Sequence, residues 1–287
     1  MLPSFFVSDL HGRTARYRTL FDLVRKEKPR GVFFGGDLLP HGMDLSWRTS
    51  PQQEDFLEDF VIPELRQLKK DLGEEYPRMF FILGNDDPRI HEETLFAAEK
   101  ENLLEYIHSR KVEYGPFRVY GYSCIPPSPF QLKDWERYDV SRFVDPGCVS
   151  PEEGRRSAGP DNQVIRHTTI ALELEELTGD DDLTGAICLF HCPPYGGHLD
   201  RAALDGKSVD HVPLDVHIGS IAIQRFIAER QPLTTLHGHV HESRSLTGHW
   251  RETKGRTHSI SAATEGARLA LVRFDPHHPE DAVINLC

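Results

Sequence analysis

The chain has 287 residues, of which 38% are hydrophobic and 27% charged, a composition typical of a soluble globular protein with one large core or two modest ones. Its formal net charge is −12, and an acidic surface of this size repels a phosphate backbone. We therefore predict no binding to duplex nucleic acid. A small phosphorylated substrate stays compatible with this charge, because bound metal ions reverse the field inside a pocket.

The sequence also indicates the cellular compartment in which the protein is expected. No apolar run reaches the roughly 18 residues that a membrane-spanning helix needs, and the N-terminus lacks the basic start of a secretory signal. The five cysteines are odd in number and form no C-x-x-C pair, which suits reduced thiols better than a disulfide framework. We expect a cytoplasmic protein with no membrane contact, either a monomer or a homodimer.

Short apolar runs alternate with amphipathic runs along the chain, which favours a layered α/β architecture. In the first half we predict helices over residues 13–26 and about 52–72, and we expect Pro63 to kink or divide the second. Strands are predicted at 2–8, 31–36, 79–83 and 116–123.

An irregular, Pro- and Gly-rich segment at 124–163 follows, which predicts a lid, a binding loop or a disordered insertion. Beyond it we predict helices over 164–177 and 218–229. The remaining strands are predicted at 186–191, 233–239, 257–262, 268–274 and 282–287. The sequence contains no internal repeat and no clear linker, so we predict a single domain over residues 1–287.

Polar residues follow five of the predicted strands, at the point where each strand ends. In chain order they are Asp9 and His11, then Asp37, then Asn85, then His191, and finally His237, His239 and His241. Ligand sites of open α/β sheets gather beyond such ends. Each fragment alone also fits a structural role, such as a helix cap, a turn or a hydrogen-bonded buried histidine. The two histidines of G-H-V-H, His239 and His241, point to one face of an extended segment, which favours a site.

The motifs D-x-H, G-D, G-N-x-D, H and G-H-x-H, in this order between residues 9 and 241, resemble those of the calcineurin-like metallophosphoesterase family. The passages HCPPYGGHLD and GSIAIQRFIAERQPLTTLHGHVHES look like a bacterial and archaeal branch of predicted phosphoesterases. The resemblance implies a four-layer αββα sandwich, in which two mixed β-sheets are flanked by helices.

The resemblance further implies two divalent metals that share Asp37. One metal would be held by Asp9, His11, Asp37 and His241, and the other by Asp37, Asn85, His191 and His239. Carboxylate, imidazole and amide ligands without thiolate suit Mn, Fe or Zn, and we expect Mn to serve in vitro. Two metals ~3.5–4 Å apart clamp a phosphoryl oxygen and share a hydroxide nucleophile, so no Ser or Cys nucleophile is needed.

Asp86 departs from the family pattern. The third motif of the family is usually G-N-H-[DE], and this chain has Asp86 in the place of the histidine that protonates the leaving oxygen or binds the phosphate. A carboxylate repels a phosphomonoester dianion more than a phosphodiester, which carries one negative charge less. We therefore expect a phosphodiesterase, with Asp37, Asp86 and His239 as catalytic residues. The alternative is that Asp86 points into solvent and decides nothing.

Several further side chains have two interpretations each. Asn85, Asp86 and Arg13 are candidates for substrate binding, although Arg13 also fits an exposed residue at a helix start. Asp87 is expected to be structural, and Cys192 a buried thiol. His237 fits either a residue that orients a metal ligand or a core histidine. Candidates for holding a leaving group, such as that of a nucleotide, lie in the irregular segment, whose composition also fits a loop packed on itself: Phe130, Lys133, Trp135, Arg137 and Tyr138.

The predicted function is hydrolysis of a small phosphorylated substrate, with a phosphodiester preferred. A phosphomonoesterase acting on a metabolite or a phosphoprotein is the alternative, and the acidic charge makes a nuclease less attractive. A non-catalytic scaffold on the same fold is the alternative from another class. Every ligand position of the motifs is filled, which favours an enzyme.

Overall fold

The computed structural model describes residues 3–41, 46–48, 50 and 53–287. Two six-stranded sheets form its centre. The strands, in chain order, are β1 Ser4–Val7, β2 Gly31–Gly35, β3 Arg78–Ile82, β4 Glu105–Tyr106, β5 Arg110–Tyr114, β6 Phe117–Tyr122, β7 Ala186–Phe190, β8 Ser208–Val209, β9 Val212–Pro213, β10 Thr234–His237, β11 Arg251–Lys254, β12 Thr257–Ser261, β13 Ala270–Asp275 and β14 His278–Leu286. The helices are α1 Thr14–Glu27, α2 Ile62–Leu72, α3 Glu92–Lys100, α4 Asn162–His167, α5 Ile170–Thr178, α6 Ile221–Arg230 and α7 Ser243–Thr247.

Both large sheets are mixed. The first has the strand order β14-β13-β1-β2-β3-β4, with parallel pairing from β1 to β4 and antiparallel pairing at β13 and β14. The second has the order β11-β12-β10-β7-β6-β5, with parallel pairing at its centre and an antiparallel strand at each edge. Strands β8 and β9 form a separate small hairpin. The parallel centres direct the carboxyl ends of five strands towards the candidate site.

Alternation along the strands builds two kinds of core. Phe6 and Phe33 pack with Leu189 and Leu236 of the second sheet in one cluster between the sheets. Their neighbours along the chain point the other way, because successive strand residues face opposite sides of a sheet. Phe34, for example, packs in the larger cluster with side chains of the flanking helices. The predicted two-sheet sandwich with flanking helices is therefore confirmed.

Two predicted helices differ from the observed ones. The predicted helix at 164–177 is divided into α4 and α5, because Thr168 and Thr169 are extended and Thr169 caps α5 by accepting a hydrogen bond from Leu172 N. The predicted helix at 52–72 has its first residue outside the described residues, and it contains a π-helix at Leu57–Val61. Pro63 lies in the first turn of α2, where its missing N–H needs no partner.

Seven of the named helices and strands were not predicted: α3, α7, β4, β5, β8, β9 and β11. The two edge strands β5 and β11 have the sequences RKVEY and RETK, and charged residues on edge strands hide the apolar alternation. Strand β14 also begins earlier than predicted, at His278. None of the helices in the part of the chain that the structure describes is long and apolar enough to cross a membrane.

Segment 124–163 is irregular, as predicted, with helix α4 beginning only at its last two residues. It is held to the domain by specific contacts. The indole Nε1 of Trp135 donates a hydrogen bond of 2.7 Å to the Asp87 carbonyl oxygen. The Asp139 carboxylate accepts hydrogen bonds from the Ile221 and Ala222 amides and so caps α6. These contacts order the segment, and its action as a lid stays a prediction.

Candidate metal centre

The ends of both sheets meet at one place. Asp9, Asp37 and Asn85 follow β1, β2 and β3 of the first sheet, whereas His191 and His239 follow β7 and β10 of the second. The two sets touch directly, because the His239 amide donates a hydrogen bond of 3.0 Å to Asp9 Oδ1. The structure therefore brings together the strand ends that the sequence selected.

The first group of possible ligands comprises Asp9, His11, Asp37 and His241, whose ligand atoms all lie within 4.8 Å of one another. His241 Nε2 is 3.1 Å from Asp9 Oδ1 and 3.0 Å from His11 Nε2. Two imidazole nitrogens and a carboxylate oxygen thus converge on one small volume. Such convergence of electron pairs is what a cation needs.

The second group comprises Asp37, His191 and His239, and its ligand atoms also lie within 4.8 Å of one another. Asn85 joins this group, since its Oδ1 is 3.0 Å from His191 Nε2. The other ring nitrogen of His191 contacts the Gly35 carbonyl oxygen at 2.8 Å, which fixes the ring and leaves Nε2 facing the cluster. Asp37 belongs to both groups, so its carboxylate could serve two cations.

The backbone at these residues is unusual. Asp9, His11, Asp37 and His239 all have left-handed φ angles, of 56°, 47°, 52° and 73°. Non-glycine residues rarely adopt this region, and each costs on the order of 1–3 kcal/mol unless the surrounding structure holds it in place. Four of the seven predicted ligands carry this strain, which indicates that the fold directs these side chains at an energetic cost.

The glycines of two motifs leave room for the carboxylates. A Cβ atom on Gly84 would lie 2.3 Å from Asp37 Oδ1 and 2.7 Å from His191 Cε1. A Cβ atom on Gly238 would lie 2.7 Å from Asp9 Oδ2. Both approaches are too close for any other residue, so the glycines of G-N-D-D and G-H-V-H allow the close packing of the cluster.

The charged groups of the cluster shift one another's pKa values. Burial alone would raise the pKa of Asp9, but the hydrogen bond and charge of His241 outweigh it and lower that pKa to about 2. Burial alone would lower the pKa values of the two histidines, yet Asp37 raises that of His191 to about 10 and Asp9 raises that of His241 to about 9. The cluster therefore attracts positive charge.

His239 behaves differently from these two histidines. Burial, followed by the charge of His191, lowers the pKa of His239 to about 3, so its ring stays neutral and available as a ligand. The donor set as a whole contains imidazole, carboxylate and amide groups. Its residues fit two divalent cations, because every donor is an oxygen or nitrogen atom and the carboxylates compensate the charge.

Asp86 faces this cluster. Its Oδ2 is 3.7 Å from His11 Nδ1, its Oδ1 accepts a hydrogen bond from Asn85 Nδ2, and its amide donates to Asp37 Oδ1 at 2.8 Å. Only 16% of the side chain is exposed. Burial, together with the charge of Asp37, raises the pKa of Asp86. The alternative in which Asp86 points into solvent is therefore wrong.

Asp87 is structural, as expected. Its buried carboxylate accepts hydrogen bonds from the amides of Leu38, Leu39 and Gly84, at 2.8 to 3.0 Å. These bonds join the loop after β2 to the loop after β3. Burial, together with the charge of Asp37, raises the pKa of Asp87 to about 7. Asp87 thus holds in place the two loops that carry Asp37 and Asn85.

Two residues near the cluster were not selected from the sequence. His41 contacts Asp86, with 3.1 Å between His41 Nδ1 and Asp86 Oδ2. The buried Arg16 donates hydrogen bonds to the carbonyl oxygens of Asp9 and Gly266 and so fixes the end of β1. A histidine four positions after a strand-end aspartate was the available signal for His41. Arg16 lies on the buried side of α1, where an arginine needs such partners.

Other candidates lie outside the cluster. Arg13 donates to the Gly266 carbonyl oxygen on the exposed side of the helix start, and its role in phosphate binding stays a prediction. His237 is a core histidine, because its Nδ1 and Nε2 contact the Cys192 carbonyl oxygen and the Thr235 hydroxyl. The Cys192 thiol is buried, and this burial raises its pKa well above the usual range.

The candidates in the irregular segment are mostly buried. Lys133 and Arg137 form ion pairs with Glu136 and Glu173, at 2.6 and 2.9 Å, whereas Phe130 is 52% exposed. Trp135 and Tyr138 are also buried. These four buried residues pack within the segment and against the rest of the domain, and their binding of a leaving group stays a prediction.

Comparisons with known proteins agree with this description. The family profile for calcineurin-like phosphoesterases matches residues 2–243. A search of curated protein sequences found no relative of this chain. Among solved structures, TT1561 of Thermus thermophilus is 14% identical over 99% of this chain and 98% of that one, with a TM-score of 0.53.

Two further structures resemble the fold at similar levels. A dimetal phosphatase from Danio rerio is 12% identical, covering 99% of this chain and 95% of its own, with a TM-score of 0.51. Phosphopantetheinyl hydrolase from Mycobacterium tuberculosis is 14% identical, covering 91% of this chain and 89% of its own, with a TM-score of 0.50. At these identities the similarity shows a shared fold.

Proposed function

The chain belongs to the calcineurin-like phosphoesterase family, and on that premise we propose that it hydrolyses phosphodiesters at a centre of two divalent metals. The observation that carries the proposal is the position of Asp37. Its carboxylate lies in both groups of ligand atoms, so that one side chain serves two cations. Mn, Fe and Zn suit these donors, and Mn is the metal to try first in vitro.

Two bound metals would supply a hydroxide nucleophile near neutral pH and would offset the charge that develops on the phosphoryl oxygens. The residues of the chain do the positioning. Asp9, His11 and His241 hold one side of the centre, and Asn85, His191 and His239 hold the other. Asp37 and His239 both belong to the second group of ligands, where they would act on the reacting phosphate together with Asp86.

The preference for diesters rests on Asp86. Its side chain is within 3.7 Å of His11 Nδ1, so its charge acts on any substrate bound at the cluster. A monoester dianion carries one negative charge more than a diester and is therefore repelled more strongly. Asn85 and Arg13 are the further candidates for contact with a small substrate. A nucleotide diester is one substrate of this class.

Hydrolysis of two matched substrates tests this proposal. The Mn-loaded protein is expected to turn over bis-p-nitrophenyl phosphate faster than p-nitrophenyl phosphate, and Asp86→His is expected to gain monoesterase activity. Faster turnover of the monoester by the wild type would contradict the preference. Asp37→Ala is expected to abolish both activities, and turnover retained in that variant would refute the assignment of the centre.

A phosphomonoesterase is the second candidate, and His41 favours it. When its ring is protonated, His41 places a positive charge beside Asp86, and this charge would offset the negative charge that otherwise repels a dianion. The same pair of substrates decides between the two. A non-catalytic scaffold remains the third, and failure of the purified protein to retain metal or to hydrolyse any phosphoester after reconstitution would favour it.

A further inference from the structure

The loop after β2 brings an imidazole to Asp86. His41 Nδ1 lies 3.1 Å from Asp86 Oδ2, although 45 positions separate the two residues in the sequence. The His41 side chain is 71% exposed, whereas that of Asp86 is 16% exposed. The histidine therefore stands on the solvent side of a carboxylate that itself faces the cluster.

His41 lies beside the metal cluster and belongs to neither of its two groups of ligands. Asp86 Oδ2 is also 3.7 Å from His11 Nδ1, and the opposite nitrogen of His11 faces His241 Nε2 at 3.0 Å. The His11 ring, which belongs to the first group of ligands, thus has Asp86 on one side and His241 on the other. The ligand atoms of His11, His41 and Asp86 lie within 4.8 Å of one another, which places His41 at the edge of the cluster.

The chemistry of the pair is that of an oriented imidazole. When Nδ1–H of His41 donates to the Asp86 carboxylate, the ring is held in one tautomer and Nε2 is left on the side away from Asp86. In its imidazolium form the ring also carries a proton on Nε2, and this exposed N–H is available to an oxygen of a substrate that binds at the cluster.

A leaving alkoxide needs such a proton, because the free anion is strongly basic and departs slowly unless it is protonated. Asp86 alone suits this task poorly, since an ionised carboxylate has no proton to give and repels the developing negative charge. A proton donor within hydrogen-bond reach of a leaving oxygen contributes on the order of 10²–10⁴-fold to the rate.

We propose that His41 is the catalytic proton donor to the leaving oxygen and that Asp86 positions it. The assignment rests on the proposed phosphoester hydrolysis. In this step a water-derived hydroxide forms a new P–O bond while the P–O bond to the leaving group breaks. The electron pair of the broken bond stays on the leaving oxygen, and the Nε2 proton of the His41 imidazolium passes to that oxygen. The neutral imidazole then regains a proton from water.

Leaving groups of different basicity test this role. Bis-p-nitrophenyl phosphate releases a weakly basic phenolate that needs little protonation, whereas diphenyl phosphate releases a more basic one. For the Mn-loaded protein, we expect His41→Gln to lower the rate of diphenyl phosphate hydrolysis by about 100-fold or more. The rate of bis-p-nitrophenyl phosphate hydrolysis should fall by less than about 10-fold. His278→Gln, which changes an exposed histidine of β14, is the matched control and should change neither rate.

The possible outcomes separate this assignment from the proposed function. Equal losses on both substrates, or no loss on either, would overturn the role of His41. Metal analysis gives a second check, because a Mn content that falls by one ion per chain in His41→Gln would make the residue a ligand instead. A wild type that hydrolyses neither substrate would overturn the proposed function.

The pairing itself has a readout that does not depend on turnover. In long-range proton–nitrogen spectra of the metal-free protein at pH 8, the His41 signals are those missing from His41→Gln. We expect the wild type to carry the proton on Nδ1, and Asp86→Ala, which removes the acceptor oxygen, to shift the proton towards Nε2, as in a free imidazole. The same tautomer in both proteins would show that Asp86 does not position the ring.

Discussion

The amide of His239 donates a hydrogen bond of 3.0 Å to Asp9 Oδ1, and this bond joins the end of β10 in the second sheet to the end of β1 in the first. The same oxygen is 3.1 Å from His241 Nε2. Asp9 therefore has two tasks, since it orients the G-H-V-H loop and offers a charge to the first group of ligands. A change that removes only the charge separates these tasks.

Asp9→Asn is expected to weaken metal binding while the fold persists. The amide oxygen still accepts a hydrogen bond from His239, but the loss of charge should lower metal affinity at one site by about 100-fold or more, because even indirect ligand partners contribute 10–100-fold. Calorimetric titration of the metal-free protein with Mn measures this change. Asp22→Asn on the exposed face of α1 is the control, and equal affinities in the two variants would refute the assignment of Asp9.

Gly84→Ala is expected to disrupt the centre through a single methyl group. Its Cβ would lie 2.3 Å from Asp37 Oδ1, and overpacking of this kind costs roughly 1–3 kcal/mol. We expect a lower free energy of unfolding in urea and loss of Mn binding. Gly185→Ala is the matched control, because a Cβ there meets no atom within 4 Å among the described residues. Wild-type stability and Mn binding in Gly84→Ala would contradict the packing.

The features that the sequence predicts well are those that local pattern determines. Asp37 and His191 each follow a short apolar run, so their places at strand ends could be predicted without the structure. The contact between His41 and Asp86 could not, because no spacing within the chain relates residues 45 positions apart. The break between α4 and α5 depends on one hydroxyl, that of Thr169, against an otherwise continuous helical pattern.

The irregular segment shows a second limit. Lys133 and Arg137 have the same side-chain chemistry whether they bind a substrate or a buried carboxylate. Only the structure shows Lys133 Nζ paired with Glu136 Oε2 at 2.6 Å, with both side chains fully buried. Composition alone cannot distinguish these two cases, because the partners of a buried charge are set by tertiary packing.

Lys133→Met is expected to destabilise the protein without impairing substrate binding. The change leaves Glu136 buried without its cation, and loss of one partner of a buried ion pair costs about 3–5 kcal/mol. The double variant Lys133→Met/Glu136→Leu should recover part of this loss. Urea unfolding measures the stability, and KM for bis-p-nitrophenyl phosphate should stay unchanged below the unfolding range. A raised KM with unchanged stability would instead indicate that Lys133 binds the substrate.

His237 is expected to make stability depend on pH. Burial lowers its pKa from the ordinary 6.5 to about 4, while its Nε2 contacts the Thr235 hydroxyl at 2.7 Å. Above pH 6.5 the residue is neutral in both states and its contribution to stability is complete. Between pH 6.5 and about 4 the unfolded chain binds a proton that the folded protein does not, so the contribution is lost as the pH falls, by about 1.4 kcal/mol per pH unit.

Urea unfolding of the metal-free protein at pH 7.5, 6.5 and 5.5 measures this loss. His237→Gln cannot titrate, so the difference in stability between wild type and variant should shrink by about 1 kcal/mol between pH 6.5 and 5.5 and by less than about 0.5 kcal/mol between pH 7.5 and 6.5. His278→Gln, an exposed change, should follow the wild type at every pH. A constant difference between wild type and His237→Gln would mean that His237 accepts a proton in the folded core as readily as in the unfolded chain, against the burial and hydrogen bonding of its ring.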